Sequence, residues 1–198
     1  MYPAARSSLW GTPQVTYTLG TEIMKTPTLY IFAGLPATGK STLAKKLAAC
    51  TGAIYLRIDT IEQGIRDLCT YEVEGEGYRL TYRIADDNLK IGISVIADSC
   101  NPIELTRDEW NEVAIKAGAA FVDIEVICSD KEKHMKRVNT RNNEVQNLVL
   151  PSWTEVENRE YHDWTRERIM IDTSNISESE AFEILISKLN NIKSKQKA

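Results

Sequence analysis

Apolar residues fall along the chain in short unbroken runs, separated by longer stretches that carry helical periodicity. Residues 28–33 (TLYIFA) are such a run, rich in β-forming side chains and without polar alternation, which predicts a strand buried on both faces. Similar runs stand at 53–57 (AIYLR), 93–97 (ISVIA), 120–127 (AFVDIEVI) and 168–171 (RIMI). Helices are expected at 41–49, 60–68, 77–89, 105–117, 131–142, 154–164 and 178–190. In the first, Leu43 and Leu47 lie four apart beside Ala44 and Ala48; in the last, Ala181, Leu185 and Leu189 repeat every four residues. Strands that alternate with helices predict an α/β fold: a doubly wound, five-stranded parallel sheet with helices on both faces. No internal repeat and no interdomain linker breaks the pattern, so one domain is expected over residues 24–192.

Directly after the first strand comes Gly34-Leu35-Pro36-Ala37-Thr38-Gly39-Lys40-Ser41, followed by Thr42 and the first helix. The spacing G-x-x-x-x-G-K-S in a strand–loop–helix context reads as a P-loop. Gly34 and Gly39 let the backbone wrap close to phosphate oxygens. The loop N–H groups and the positive end of the helix face those oxygens, Lys40 reaches the β and γ phosphates, and the Ser41 hydroxyl ligates magnesium. A chance glycine turn before a helix is the bland alternative, and the flanking elements argue against it. The cofactors implied are a nucleoside triphosphate, ATP, and Mg2+, on a P-loop NTPase fold.

Two acidic residues follow strand ends. Asp59, after the second strand, either accepts a hydroxyl proton during phosphoryl transfer or N-caps the helix beginning at Thr60. Asp98, after the third, either holds magnesium or its waters or forms a turn in the Asp98-Ser99-Cys100-Asn101-Pro102 loop. Arg57 and Arg66 flank Asp59 and stand as substrate contacts or as surface residues. Arg137 and Arg141, one helical turn apart, are candidates to close over the transferred phosphate, with solvated helix charges as the alternative; Lys133 and Lys136 fit the solvated reading. The polar stretch 142–164, with Pro151, Trp153, Arg159, Tyr161, His162 and Trp164, suits a mobile cover, giving a small helical lid at about 131–165. His134 and His162 have no ligand spacing and read as structural or surface residues.

Composition narrows the classes. A net charge of −4 argues against a broad nucleic-acid footprint. The four cysteines, Cys50, Cys69, Cys100 and Cys128, form no C-x-x-C pair, which suits a reducing cytosol. Every apolar run is broken well short of the roughly 20 residues that cross a bilayer, so a cytoplasmic protein with no membrane partner is expected. Residues 1–23 lack periodicity and a signal-peptide pattern, and are expected to be a disordered extension with translation starting at Met24; residues 193–198, with Lys193, Lys195 and Lys197, read as a frayed tail. Oligomeric state leaves no mark in the sequence.

With these residues assembled, the chain resembles the small P-loop kinases, in particular the AAA-type ATP-binding kinase group that is similar to chloramphenicol phosphotransferase, gluconate kinase and zeta-toxin kinases. The likeness spans roughly Met24 to Leu189 and is carried by GLPATGKST, by RIDTIEQGIR with its Arg-x-Asp element, by VIADSCNP, and by REYHDW with RIMIDTS. It implies ATP-dependent phosphorylation of a hydroxyl on a small molecule, with Asp59 as catalytic base, Asp98 as the strand-end acid, and Asp172-Thr173-Ser174 near the adenine. No acceptor is named by it. A nucleotide-dependent switch ATPase and a polynucleotide 5′-hydroxyl kinase are the competing classes; the chain lacks an Asn-Lys-x-Asp guanine motif, and its acidity weighs against nucleic acid.

Overall fold

The computed structural model describes residues 26–69 and 71–195. The expected extension at 1–23, the start at Met24 and Lys197 lie outside the described residues. Twelve elements follow in order: β1 Thr28–Ala33, α1 Lys40–Thr51, β2 Ile54–Arg57, α2 Ile58–Cys69, α3 Glu76–Lys90, β3 Val95–Asp98, α4 Glu104–Lys116, β4 Ala120–Ile127, α5 Lys131–Thr140, α6 Trp153–Glu157, β5 Ile169–Asp172 and α7 Glu178–Lys195. The five strands pair in parallel in the order β2-β3-β1-β4-β5. The doubly wound sheet expected from the sequence is therefore present.

β1 is central and alternates between two cores. Leu29 and Ile31 pack with Leu56, Ala85, Leu89, Trp110 and Ala114, joining the sheet to α3 and α4. Tyr30 and Phe32 pack on the other face with Leu43, Leu47, Ile171 and Leu185, from α1, β5 and α7. Each fully buried Leu, Ile or Phe contributes about 1.5–3 kcal/mol, so the two layers anchor the sheet from both sides. The carboxyl ends of the strands then share one edge, where the loops that bear chemistry emerge.

Four boundaries differ from the expectations in ways that matter at that edge. β3 runs to Asp98, which makes Asp98 a strand residue rather than part of the turn. α2 begins at Ile58, immediately after β2, so Asp59 sits inside its first turn instead of capping it. α5 ends at Thr140 with Arg141 as its C-cap: the Arg141 N–H still donates to the Arg137 carbonyl at 3.0 Å and its φ (−67°) stays helical, so it keeps its place one turn from Arg137, while its ψ (145°) leads the following chain out of the helix. α6 starts on a Ser152–Glu155 capping box and stops at Glu157, short of the helix expected through 164. Past it, the carbonyls of His162 and Asp163 accept hydrogen bonds from Arg107 in place of helical N–H groups. α7 continues to Lys195.

Candidate active site

The loop after β1 is held by its carbonyls. Thr38 Oγ1 donates to the Leu35 carbonyl at 3.0 Å, and Thr173 Oγ1 donates to that of Thr38 at 2.8 Å. His134 Nε2 donates to the Pro36 carbonyl at 2.8 Å, and Gly34 N–H to that of Cys100 at 3.0 Å. Positive φ at Gly34 (139°), Ala37 (66°) and Gly39 (99°) carries the chain through the turn. A Cβ at Gly34 would stand 2.2 Å from the Val126 carbonyl oxygen, so only glycine fits there. Pro36, Ala37, Gly39, Lys40, Ser41 and Thr42 line a cavity of about 800 Å3, whereas Gly34, Leu35 and Thr38 form the support behind it.

One end of this cavity is bounded by Arg137, Thr173 and Ile176. Arg137 donates through Nη1 to Thr173 Oγ1 at 2.7 Å and through Nη2 to the Thr173 carbonyl at 2.9 Å. Asp172, beside it, faces away from the cavity: its carboxylate accepts from Ser129 N–H, Ser129 Oγ and Ser174 N–H. Burial opposes its charge, yet these bonds hold its pKa down at about 2. The Asp172-Thr173-Ser174 stretch is thus a staple that presents Thr173.

The other end holds Arg57, Asp59, Glu62, Arg66, Arg141 and Arg159. Asp59 is half exposed, its Oδ2 3.8 Å from Arg57 Nε, and it makes no capping hydrogen bond among the described residues. Arg57 Nη1 donates to Glu144 Oε2 at 3.0 Å, and Lys45 Nζ reaches the same oxygen at 2.5 Å. The Lys45 bond, with Arg57 assisting, lowers the pKa of Glu144. Burial raises Glu62, against the pull of Arg66 at 3.4 Å. Arg141 is half-buried, and burial lowers its pKa despite the nearby Asp59 carboxylate.

Asp98 lies behind the cavity wall, 2% exposed, between Phe32 of β1 and Arg57 of β2. Its Oδ2 accepts from Tyr55 Oη at 2.5 Å, while Oδ1 is buried without a partner among the described residues. An orphaned carboxylate oxygen at the end of β3 and the Ser41 hydroxyl of the P-loop motif after neighbouring β1 are hard oxygen donors of the kind that fits magnesium or its waters. Among the described residues no group of three or more His, Cys, Asp or Glu gathers, and a cation held by one or two protein oxygens and phosphates needs none.

The structure thus brings Lys40, Ser41, Asp59, Arg57, Arg66, Arg137 and Arg141 around one cavity and sets Asp98 beneath it. Sequence reasoning missed Tyr55, Glu62 and Glu144. Tyr55 carried a usable signal, being two residues from Arg57 on a strand and so on the same face. Glu144, in the irregular stretch after α5, carried none. His134, taken as structural or surface, is a buried tether of the loop.

A central parallel sheet whose first strand feeds a glycine loop and helix, with acids at the next two strand ends, defines a kinase-like P-loop domain. The chain belongs to the AAA domain family, whose model matches residues 29–157. No curated protein matches it. Solved structures similar to it include a gluconokinase from Sinorhizobium meliloti, at 13% identity and TM-score 0.63 over 87% of this chain and 97% of that one. A sugar kinase from a Janibacter species follows at 15% identity and TM-score 0.60, over 84% and 95% of the two chains. The APS kinase CysC of Mycobacterium tuberculosis, in complex with AMPPNP and APS, is similar at 16% identity and TM-score 0.57, over 83% and 98%. These likenesses establish the shared fold. Among the described residues, no helix is long and apolar enough to cross a membrane.

Proposed function

We propose that this protein is a magnesium- and ATP-dependent kinase that phosphorylates a hydroxyl group of a small molecule. The observation that carries the reading is that Asp59 and Lys40 line the same cavity, one at the acceptor end and the other on the phosphate loop. The likeness to a gluconokinase, a sugar kinase and an APS kinase supports a small acceptor.

In this reading the adenine end is bounded by Thr173 and Ile176, and Arg137 lies against the phosphates while braced on Thr173. Lys40 and the loop N–H groups bind the β and γ phosphates. Ser41 and Asp98 would hold magnesium, which neutralises charge on the β and γ oxygens when bound. The acceptor oxygen forms a bond to the γ phosphorus, the bond to the β–γ bridging oxygen breaks, and ADP leaves with the electron pair. The acceptor's hydroxyl proton passes to Asp59. Asp59 is half exposed and lines the cavity, which leaves its carboxyl oxygens open to the acceptor. The 148–151 stretch lines the cavity, and its closing over bound substrates would exclude water, which otherwise competes as acceptor.

The test is ADP release against a library of hydroxylated metabolites. Lys40→Ala is expected to abolish turnover, and Asp59→Asn to remove transfer while nucleotide affinity stays near that of the unaltered protein. A protein that binds ATP but phosphorylates nothing in a broad library would overturn the kinase reading in favour of a switch.

A further inference from the structure

The acceptor end of the cavity carries an unbalanced cation. Arg66 is tied to Glu62, and Arg57 to Glu144. Arg141 has no such tie: its Nε and Nη2 are buried and without a hydrogen-bond partner among the described residues. The guanidiniums of Arg57 and Arg159 stand close enough to oppose its charge, and Asp59 is the carboxylate that favours it. A half-buried guanidinium with orphaned donors is costly, and an anion is the partner that offsets the cost. The γ phosphate is the obvious anion, yet the geometry separates the two lid arginines. Arg137 is braced on Thr173 beside the loop, while the guanidinium of Arg141, one turn further along, has Asp59, Arg57 and Arg159 as its charged neighbours.

We propose that the phosphoryl acceptor carries an acidic group, a carboxylate or a phosphate ester, and that Arg141 binds it. This rests on the kinase reading. The acid group enters the fork of Arg141, and the hydroxyl to be phosphorylated is thereby turned toward Asp59. Arg159, exposed on the lid side of the cavity, adds a second positive charge along the entry path.

The test separates binding from catalysis. The protein is loaded with saturating AMPPNP and magnesium, so that the γ position is filled, and titrated with inorganic phosphate by calorimetry. Arg141→Gln is expected to weaken phosphate between about tenfold and about a hundredfold, the value of a charge-assisted hydrogen-bonding group, and to leave AMPPNP affinity unchanged. Arg141→Lys, which keeps the charge, is expected to recover part of the loss and guards against a folding artefact. Phosphate that binds AMPPNP-loaded wild type and Arg141→Gln equally, or that fails to bind the loaded wild type, overturns the assignment. Matched polyols, their singly oxidised acids and their phosphate esters, titrated in the same way, tell the two sources of the anion apart; preference for the neutral polyol also overturns it. Intact phosphate binding at Arg141 with no transfer to any acceptor would sink the kinase reading alone.

Discussion

Tyr55 donates its hydroxyl to Asp98 Oδ2 at 2.5 Å, reaching diagonally across the β2–β3 pair in which Tyr55 itself faces Ile96. Burial first, and then the charge of Asp98, push the phenol far above its ordinary pKa, so the proton stays on tyrosine and Asp98 stays the acceptor. That bond fixes the carboxylate rotamer and leaves Oδ1 as the free oxygen. Tyr55→Phe strips the donor from a buried carboxylate. It is expected to cost about 1–3 kcal/mol in urea unfolding and to raise the magnesium concentration needed for nucleotide binding. Unchanged stability and unchanged magnesium dependence would remove Tyr55 from the site.

Gly34 offers a sharper structural test. Alanine there must adopt φ 139° with its Cβ 2.2 Å from the Val126 carbonyl, and a backbone atom of the central sheet cannot yield. Gly34→Ala is expected to lose at least about 2 kcal/mol of stability and to abolish fluorescent-nucleotide binding. Gly52→Ala is the control. It shares a positive φ of 70° but meets nothing within 4 Å, so it should cost about 1 kcal/mol and leave nucleotide binding intact.

The two variants mark what the sequence makes legible. The loop, its strand and its helix read directly, because each needs a local pattern: an apolar run at Thr28–Ala33, fixed glycines, and leucines four apart. All five strands were placed to within two residues at each end, since two-faced burial demands unbroken apolar runs. The stretch at 142–165, expected to be a lid, was not readable in detail. Its backbone path after Glu157 is set by Arg107, fifty residues earlier, and no local period reports such a bond. Arg137 and Arg141 keep the one-turn spacing that four residues imply; what no local period reports is that their guanidiniums part, one onto Thr173 and the other toward Asp59.

Arg107 itself yields the third prediction. It is 1% exposed and donates to the carbonyls of Asn101, Pro102, His162 and Asp163, with the Trp164 ring 4.0 Å from its guanidinium carbon. The loop after β3 bonds in turn to Gly34, so one side chain joins the phosphate loop's support to the strand-ward return of the lid. Arg107→Met keeps most of the volume but orphans the carbonyls of Asn101, His162 and Asp163, while that of Pro102 keeps the His162 N–H. It is expected to cost about 3 kcal/mol or more and to expose residues 142–165 to limited proteolysis before the sheet unfolds. A variant that is cut elsewhere first would show that Arg107 does not hold the lid return.

Asp123 predicts the pH dependence of stability. It lies 4% exposed on β4, with its Oδ1 unpartnered among the described residues and Asn111 Nδ2 a marginal 3.5 Å from Oδ2. Burial raises its pKa to about 6, against the opposing pull of Arg166, Asn111 and Arg107. The unfolded chain releases the same proton near about 4. The folded state therefore holds more protons between those values, and stability contributed by the neutral carboxyl is full below about pH 4 and is lost as pH rises through about 6. The loss amounts to about 2–3 kcal/mol by pH 8. Asp123→Asn retains a neutral group of the same shape, so its stability relative to the unaltered protein should climb across that window, while other titrating groups cancel in the difference. Urea midpoints for both proteins at pH 4, 6 and 8 measure it, and a constant difference would show that Asp123 titrates alike in the folded and unfolded chain.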